Sequence, residues 1–200
     1  MQLLIIRHGQ SGADVLGVHE GRADFALTEL GESQAGKMAN YIAVKNPPNV
    51  ILSSPLIRAK QTATTLQESI GCKMHVIDDL MEFNNGVLAG LPRKEAANKY
   101  PFPEGGRPAH VAIQDGESEL EFRFRAERVL SKILVDYKDY HCVAIVSHGG
   151  MISNLLQAFL KLPSTSGFAF ATGDTGIHLV EIKEDLRVIR FLNKQEHLNV

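Results

Sequence analysis

A three-layer α/β/α sandwich around a mostly parallel central sheet is the fold this sequence predicts, and three observations carry the prediction. Leu3 to Ile6 and Cys142 to Val146 are continuous apolar runs, the pattern of strands buried on both faces. Both runs end in polar tips, Arg7-His8-Gly9 and Ser147-His148-Gly149-Gly150, and each is followed by helical sequence. Strand and helix signals then alternate along the chain, which is the signature of an α/β sandwich.

The elements follow in order. After the first strand and a loop, Thr28 to Val44 reads as a helix, with Thr28 and Glu32 in its first turns. Val50 to Ser53 is a short strand, and Pro55 starts a helix running to about Ile70, since proline is tolerated in a first helical turn. Lys73 to Ile77 makes the next strand. The stretch from Phe83 to Gly116 is broken by Pro92, Pro101, Pro103, Pro108 and Gly105-Gly106 around a short helix at Arg93 to Lys99, and it reads as a lid and not a domain. A long helix from about Glu117 to Tyr137 is expected to gather Leu120, Phe124, Val129, Ile133 and Leu134 on one face. Met151 to Leu160 is the helix after the second polar tip. Gly176 to Ile182 and Leu186 to Leu192, joined by a turn at Lys183-Glu184-Asp185, close one edge of the sheet.

A chain of 200 residues suits one domain spanning 1–200. Its 21 lysines and arginines against 23 acids give no global basic field for nucleic acid or an anionic membrane, so any anion site has to be built locally. No apolar stretch approaches the roughly 20 residues that span a bilayer, and the apolar start is too short for a signal peptide. The cytoplasm is the expected compartment. Cys72 and Cys142 form no CxxC pair, which argues against a disulfide framework or a zinc site and suggests two buried thiols.

Ligands of open α/β sheets bind outside the carboxyl ends of the strands, so His8 and His148, each just past a parallel strand, can meet at one crevice. Each precedes glycine, which allows close backbone approach, and Gly149-Gly150 opens a helix whose free N–H groups suit an anion.

The wording around these histidines resembles the histidine phosphatase, or phosphoglycerate mutase-like, superfamily. Arg7-His8-Gly9-Gln10-Ser11 is similar to its opening signature, followed by Leu27-Thr28-Glu29-Leu30-Gly31 with Gln34-Ala35. Ser53-Ser54-Pro55-Leu56-Ile57-Arg58-Ala59 with Gln61-Thr62-Ala63 resembles the second block, and Leu80-Met81-Glu82 with Gly86 and Gly90-Leu91 the third. Gly116-Glu117-Ser118 and Val146-Ser147-His148-Gly149-Gly150 complete five blocks in order over nearly the whole chain.

The resemblance implies a phosphoglycerate mutase-like sandwich and a metal-independent phosphatase, without cofactor, acting on small phosphorylated substrates. His8 would be the nucleophile, a neutral imidazole whose tautomer is fixed by donation from its other nitrogen to a backbone carbonyl. Arg7 and Arg58 would clamp phosphoryl oxygens with planar guanidinium forks, although Arg58 sits on an exposed-looking helix start. His148 would be a second imidazole on the phosphate, and Glu82 the acid that protonates the leaving oxygen and then activates water. Ser11, Asp14, Glu20, Gly21 and Gly149 fall where the family lines the phosphate pocket. Phe83, Leu91, Arg93 and Phe102 of the lid, with Arg22, are candidate contacts for the leaving group.

The match departs from the family at Asp14, where asparagine is common, at Glu20, where glutamine is usual, and at Leu88-Ala89, where many members carry tryptophan and glutamate. A carboxylate at position 14 repels an anion unless protonated or turned away. Two other readings stay open. One is a cofactor-dependent phosphoglycerate mutase, against which stand the chain length and Phe83-Asn84-Asn85-Gly86 after Glu82. The other is a phosphate-ligand-binding member with little turnover. No nucleic-acid or membrane partner is expected, and a homodimer is compatible with the sequence.

Overall fold

The computed structural model describes residues 1–164, 167–184 and 186–199. Six strands, β1 (Gln2–Arg7), β2 (Val50–Ser53), β3 (Lys73–Val76), β4 (Cys142–Ser147), β5 (Ile177–Lys183) and β6 (Leu186–Lys194), form one sheet in the order β3-β2-β4-β1-β5-β6. The four strands from β3 to β1 are parallel, and β5 and β6 add to the edge antiparallel, which makes the sheet mostly parallel as expected. Of the turn expected at Lys183-Glu184-Asp185, Asp185 lies outside the described residues.

Successive side chains of a strand point to opposite faces, and here the two faces support two cores. Leu3, Ile5, Val50, Leu52, Val143 and Ile145 point to one side. They meet α5 (Glu119–Asp136) and α6 (Gly149–Phe159) through Phe122, Ala126, Val129, Met151, Leu155 and Phe159. Leu4, Ile6, Ile51, Ala144 and Val146 point to the other. They meet α2 (Glu29–Lys45) and α3 (Ile57–Ile70) through Met38, Ile42, Ala59, Ala63 and Leu66. The three layers follow. Two short helices, α1 (Gly12–Leu16) after β1 and α4 (Arg93–Lys99) within the segment 83–116, lie outside this frame.

Three expectations need correction. The buried face of α5 is Phe122, Ala126, Val129, Leu130 and Ile133, while Leu120 and Phe124 are exposed. At about 3.6 residues per turn, positions 129 and 133 fall roughly opposite 120 and 124, so the five could not share a stripe. The helix after Pro55 starts at Ile57, with extended Leu56 at its N-cap and Asp24 Oδ1 accepting from the Ile57 N–H at 2.6 Å. Cys142 is buried, but Cys72, at the loop before β3, is only half-buried.

Two of the long helices are capped at their starts by side chains. Thr28 Oγ1 accepts from the Gly31 N–H at 3.1 Å, and Ser118 opens α5 with a capping box to Glu121. Gly9 and Gly31 are required by packing. A Cβ on Gly9 would collide with the Gly31 carbonyl, and one on Gly31 with the Gln10 carbonyl. The glycine after His8 thus lets the start of α2 press against the β1 tip instead of admitting a ligand. Gly9→Ala is expected to lower stability by about 1–3 kcal/mol, the range of overpacking, measured by urea unfolding. An unchanged midpoint would show that the two backbones can part freely.

Candidate active site

Parallel pairing of β1 with β4 sets Arg7 opposite Ser147 and brings the two polar tips together. His8 and His148 face each other with ring centroids 5.1 Å apart and planes tilted by 59°, and both are buried.

The tautomer of His8 follows from its neighbour. Nδ1 lies 2.7 Å from the Gly9 carbonyl oxygen, which can only accept, so Nδ1 carries the proton and Nε2 presents a lone pair. Arg58 Nε donates to that Nε2 at 3.3 Å. Burial, then the charges of Arg58 and Arg7, hold the His8 pKa well below the usual imidazole range, so the ring is neutral near pH 7. His148 is lowered in the same way by burial, followed by His8 and Arg58. Its Nε2 is hydrogen-bonded to Ser54 Oγ at 2.8 Å, and its Nδ1 is buried without a partner.

Arg58 is fully buried, contrary to its exposed-looking place at a helix start. Its terminal nitrogens donate to the carbonyls of Ala23 at 2.9 Å and Gly21 at 2.8 Å, so the loop after α1 folds over it. Gly21 has φ +48 and a Cβ there would collide with Asn85, which makes glycine necessary at that turn. Arg7 donates to the Thr172 carbonyl at 2.7 Å and lies 3.4 Å from Asp174 and 3.8 Å from Asp14. Its Nε, like His148 Nδ1, is buried without a partner.

The helix N-terminus at Gly149-Gly150 holds a carboxylate of the chain itself. Glu82 Oε2 accepts from the Gly150 N–H at 2.9 Å, and Oε1 from the N–H groups of Met151 at 3.1 Å and Phe83 at 2.8 Å. The expectation of a free anion at those two amides is corrected: the start of α6 anchors Glu82. Of the roughly four lone-pair sites of a carboxylate, three are taken and one on Oε2 is left for a proton. Gly150 leaves room for this, since a Cβ would lie 2.5 Å from Oε1. Arg125, which the sequence reading missed, fixes the loop below by donating to the carbonyls of Asp79, Met81 and Glu82 and to Glu117.

The two departures sit at the same site. Asp14 Oδ2 accepts from the Ser11 N–H at 2.8 Å and lies 3.0 Å from Ser11 Oγ, so it is turned back onto the start of α1. Glu20 Oε1 lies 2.5 Å from Ser11 Oγ and 3.1 Å from Arg58 Nε, while its Oε2 lies 3.8 Å from His8 Nε2. Burial pushes the Glu20 carboxyl up from its ordinary range against the pull of Arg58 and Ser11, with Asp14 raising it further.

The proposed leaving-group contacts are scattered. Phe83 packs on Phe122, with ring centroids 5.2 Å apart, and Arg22 pairs with Glu117 at 3.6 Å. Arg93 and Phe102 are exposed, and Leu91 is partly buried. A cleft of about 530 Å³ is lined by Phe83, Leu120, Phe122, Asn154 and Phe168. Among the described residues, no group of three or more His, Cys, Asp or Glu side chains could hold a metal ion, and no helix is long and apolar enough to cross a membrane.

Also missed was the loop before β5. Because β5 runs antiparallel to β1, its start lies at the β1 tip, and Thr175 N–H donates to the His8 carbonyl at 3.1 Å. His178 receives the Asn193 N–H on Nδ1 and so donates from Nε2 to Thr172 Oγ1 at 2.9 Å, steadying the residue whose carbonyl holds Arg7. Gly173, Asp174 and Thr175 carried no reading in the sequence, since that this loop reaches the site depends on strand direction.

Comparison with known proteins now has a geometry to stand on. The model of the histidine phosphatase superfamily, branch 1, matches residues 3–195. The chain belongs to that superfamily. A bifunctional protein of Mycobacterium tuberculosis is 33% identical over 84% of this chain and 46% of its own length, so the chain spans about half of that relative. A glucosyl-3-phosphoglycerate phosphatase from the same organism is 32% identical over 81% of this chain and 76% of its own. The crystal structure of the α-ribazole phosphatase from Shigella flexneri superposes with a TM-score of 0.87 at 27% identity, covering 98% of this chain and 97% of that one. These histidine phosphatase relatives share the phosphoglycerate mutase-like fold and include phosphatases of small phosphorylated metabolites.

Burying neutral histidines links stability to pH. The unfolded chain takes up protons at about pH 6.5, whereas folded His8 and His148 resist and His178 waits until about 4. In that window the unfolded state binds more protons, so stability falls as pH falls. Urea midpoints should drop steadily from about pH 7 to about pH 4.5, and His178→Gln should flatten part of the slope. Midpoints that rise on acidification would contradict the assignment.

Proposed function

We propose that this chain is a phosphomonoester hydrolase for small phosphorylated metabolites, working without metal through a phosphohistidine on His8. The observation that carries the reading is the His8 ring. Its Nδ1 is committed to the Gly9 carbonyl, its Nε2 is unprotonated, and Arg58, Arg7 and His148 stand around it.

In this mechanism the ester phosphate sits between Arg7, Arg58 and His148. The buried Arg7 Nε and His148 Nδ1, both without partners, are nitrogens able to meet its oxygens. His8 Nε2 attacks phosphorus as the bond to the leaving oxygen breaks, and the proton on Glu82 goes to that oxygen. The Nδ1–H bond to Gly9 steadies the charge that develops on the ring. Glu82, now a carboxylate, takes a proton from water, whose oxygen attacks phosphorus and releases phosphate and neutral His8. The arginines neutralise charge spread over the equatorial oxygens in both steps. The cleft that begins at Phe83 offers the leaving group a partly apolar wall. Relatives named as phosphatases favour transfer to water over retention of the phosphoryl group, as a mutase would require.

Turnover of a ³²P-labelled ester stopped in alkaline detergent should trap acid-labile, base-stable label on wild type and none on His8→Ala. Label on serine, cysteine or aspartate would end the proposal. Glu82→Gln should slow alkyl phosphates by about 10²–10⁴-fold, the worth of a general acid, and p-nitrophenyl phosphate far less, since nitrophenolate leaves unaided. Equal losses with both esters would remove Glu82 from that role. Activity should persist in excess chelator and be blocked by vanadate, and loss on chelation would contradict the metal-free scheme.

A further inference from the structure

The seat around His8 holds more carboxyl groups than cations. Arg7 and Arg58 are its cations, whereas Asp14, Glu20, Asp174 and Glu82 all reach into it, and both imidazoles are neutral. For a site that takes a phosphate dianion, one of these carboxylates is out of place. Glu82 is fixed by three amides, Asp14 is drawn back onto the Ser11 N–H, and Asp174 meets Arg7 at 3.4 Å. Glu20 alone lies against both Arg58 and the attacking nitrogen of His8.

A proton count singles out the same residue. Ser11 Oγ lies 3.0 Å from an Asp14 oxygen and 2.5 Å from a Glu20 oxygen. One hydroxyl hydrogen can serve only one of them, so the other contact lacks a proton unless a carboxyl carries it. Asp14 Oδ2 already accepts from the Ser11 N–H, and Arg7 stands 3.8 Å from its other oxygen. Glu20 is therefore the carboxyl placed to take up that extra proton, and without it only one of the two Ser11 contacts is a hydrogen bond.

We propose that Glu20 is a proton-gated ligand of the phosphoryl seat. As a carboxylate it occupies Ser11 and Arg58 and keeps dianions away from His8, and as a neutral carboxyl it donates to a bound oxygen and joins the ligand set. The groups facing it are Arg7 and His8 from the β1 tip, Ser11 and Asp14 from the start of α1, and Arg58 from α3. Burial and Asp14 act in the direction of the neutral form, and Arg58, Ser11 and Arg7 against it. An incoming dianion adds negative charge to Arg58 and tips the balance toward protonation. The proton comes from solvent, so binding one dianion takes up one proton. This inference rests on the same anion seat as the proposed function, but it needs no turnover.

The test is calorimetric titration with sulfate, a tetrahedral dianion that does not itself titrate in this range, in buffers of different ionisation enthalpy. Wild type should take up close to one proton per sulfate on the alkaline side, its Kd rising up to about tenfold per pH unit. Glu20→Gln, which keeps the shape and can donate from its amide, should take up about one proton fewer. It should bind sulfate more tightly than wild type at alkaline pH, with the two proteins converging as pH falls and Glu20 becomes neutral. Equal proton uptake in both proteins would put the proton on His8 or His148 and overturn the gate. So would weaker binding by Glu20→Gln at every pH. If the variant fails to fold, the wild-type titration decides alone, since pH-independent binding without uptake overturns the gate while leaving the seat intact. Absence of sulfate binding in wild type at any pH would overturn the seat and the gate together.

Discussion

The parallel pairing of β1 with β4 is the constraint on which the rest of the site depends. It sets two strand tips side by side, and because both tips end in histidine, two neutral rings share one buried space. Neither ring could tolerate that burial charged, and the Gly9 carbonyl and Ser54 hydroxyl give each a defined hydrogen bond. The arginines then have something to act on: a lone pair on His8 Nε2 held open beside permanent positive charge.

Around that pair the fold supplies rigidity in layers. The loop from 20 to 24 closes over Arg58 with its carbonyls, the start of β5 steadies Arg7 and the His8 carbonyl, and Arg125 ties down the loop that carries Glu82. Except for the Thr175 N–H on the His8 carbonyl, which is backbone to backbone, each support is a backbone carbonyl meeting a side chain. The geometry is thus set by the path of the chain, and side-chain freedom enters little.

Much of this was legible in the sequence. The two apolar runs with their polar tips gave the central strands, and His8, Arg7, Arg58, Glu82 and His148 gather where the motif blocks suggested. What failed to show was whatever depended on a partner distant in the chain. Arg58 looked exposed because nothing near position 58 announces the loop that buries it. Gly149-Gly150 looked like a seat for a foreign anion because the carboxylate that fills it comes from 68 residues earlier. The face of α5 was misjudged because Phe124 and Leu120 are apolar, yet helical geometry turns them away from Val129 and Ile133. Thr172, Asp174 and Thr175 gave no signal at all, since only the antiparallel direction of β5 brings them to the tip of β1.

Anchoring Glu82 by three main-chain amides has a consequence for the ester choice of the proposed hydrolase. A carboxyl so tethered cannot swing to meet its target. Under the proposed mechanism, discrimination among esters becomes a matter of ruler length: compounds whose bridging oxygen falls short of the one unclaimed lone pair would be lodged without being cut, however well the remainder of the molecule fits.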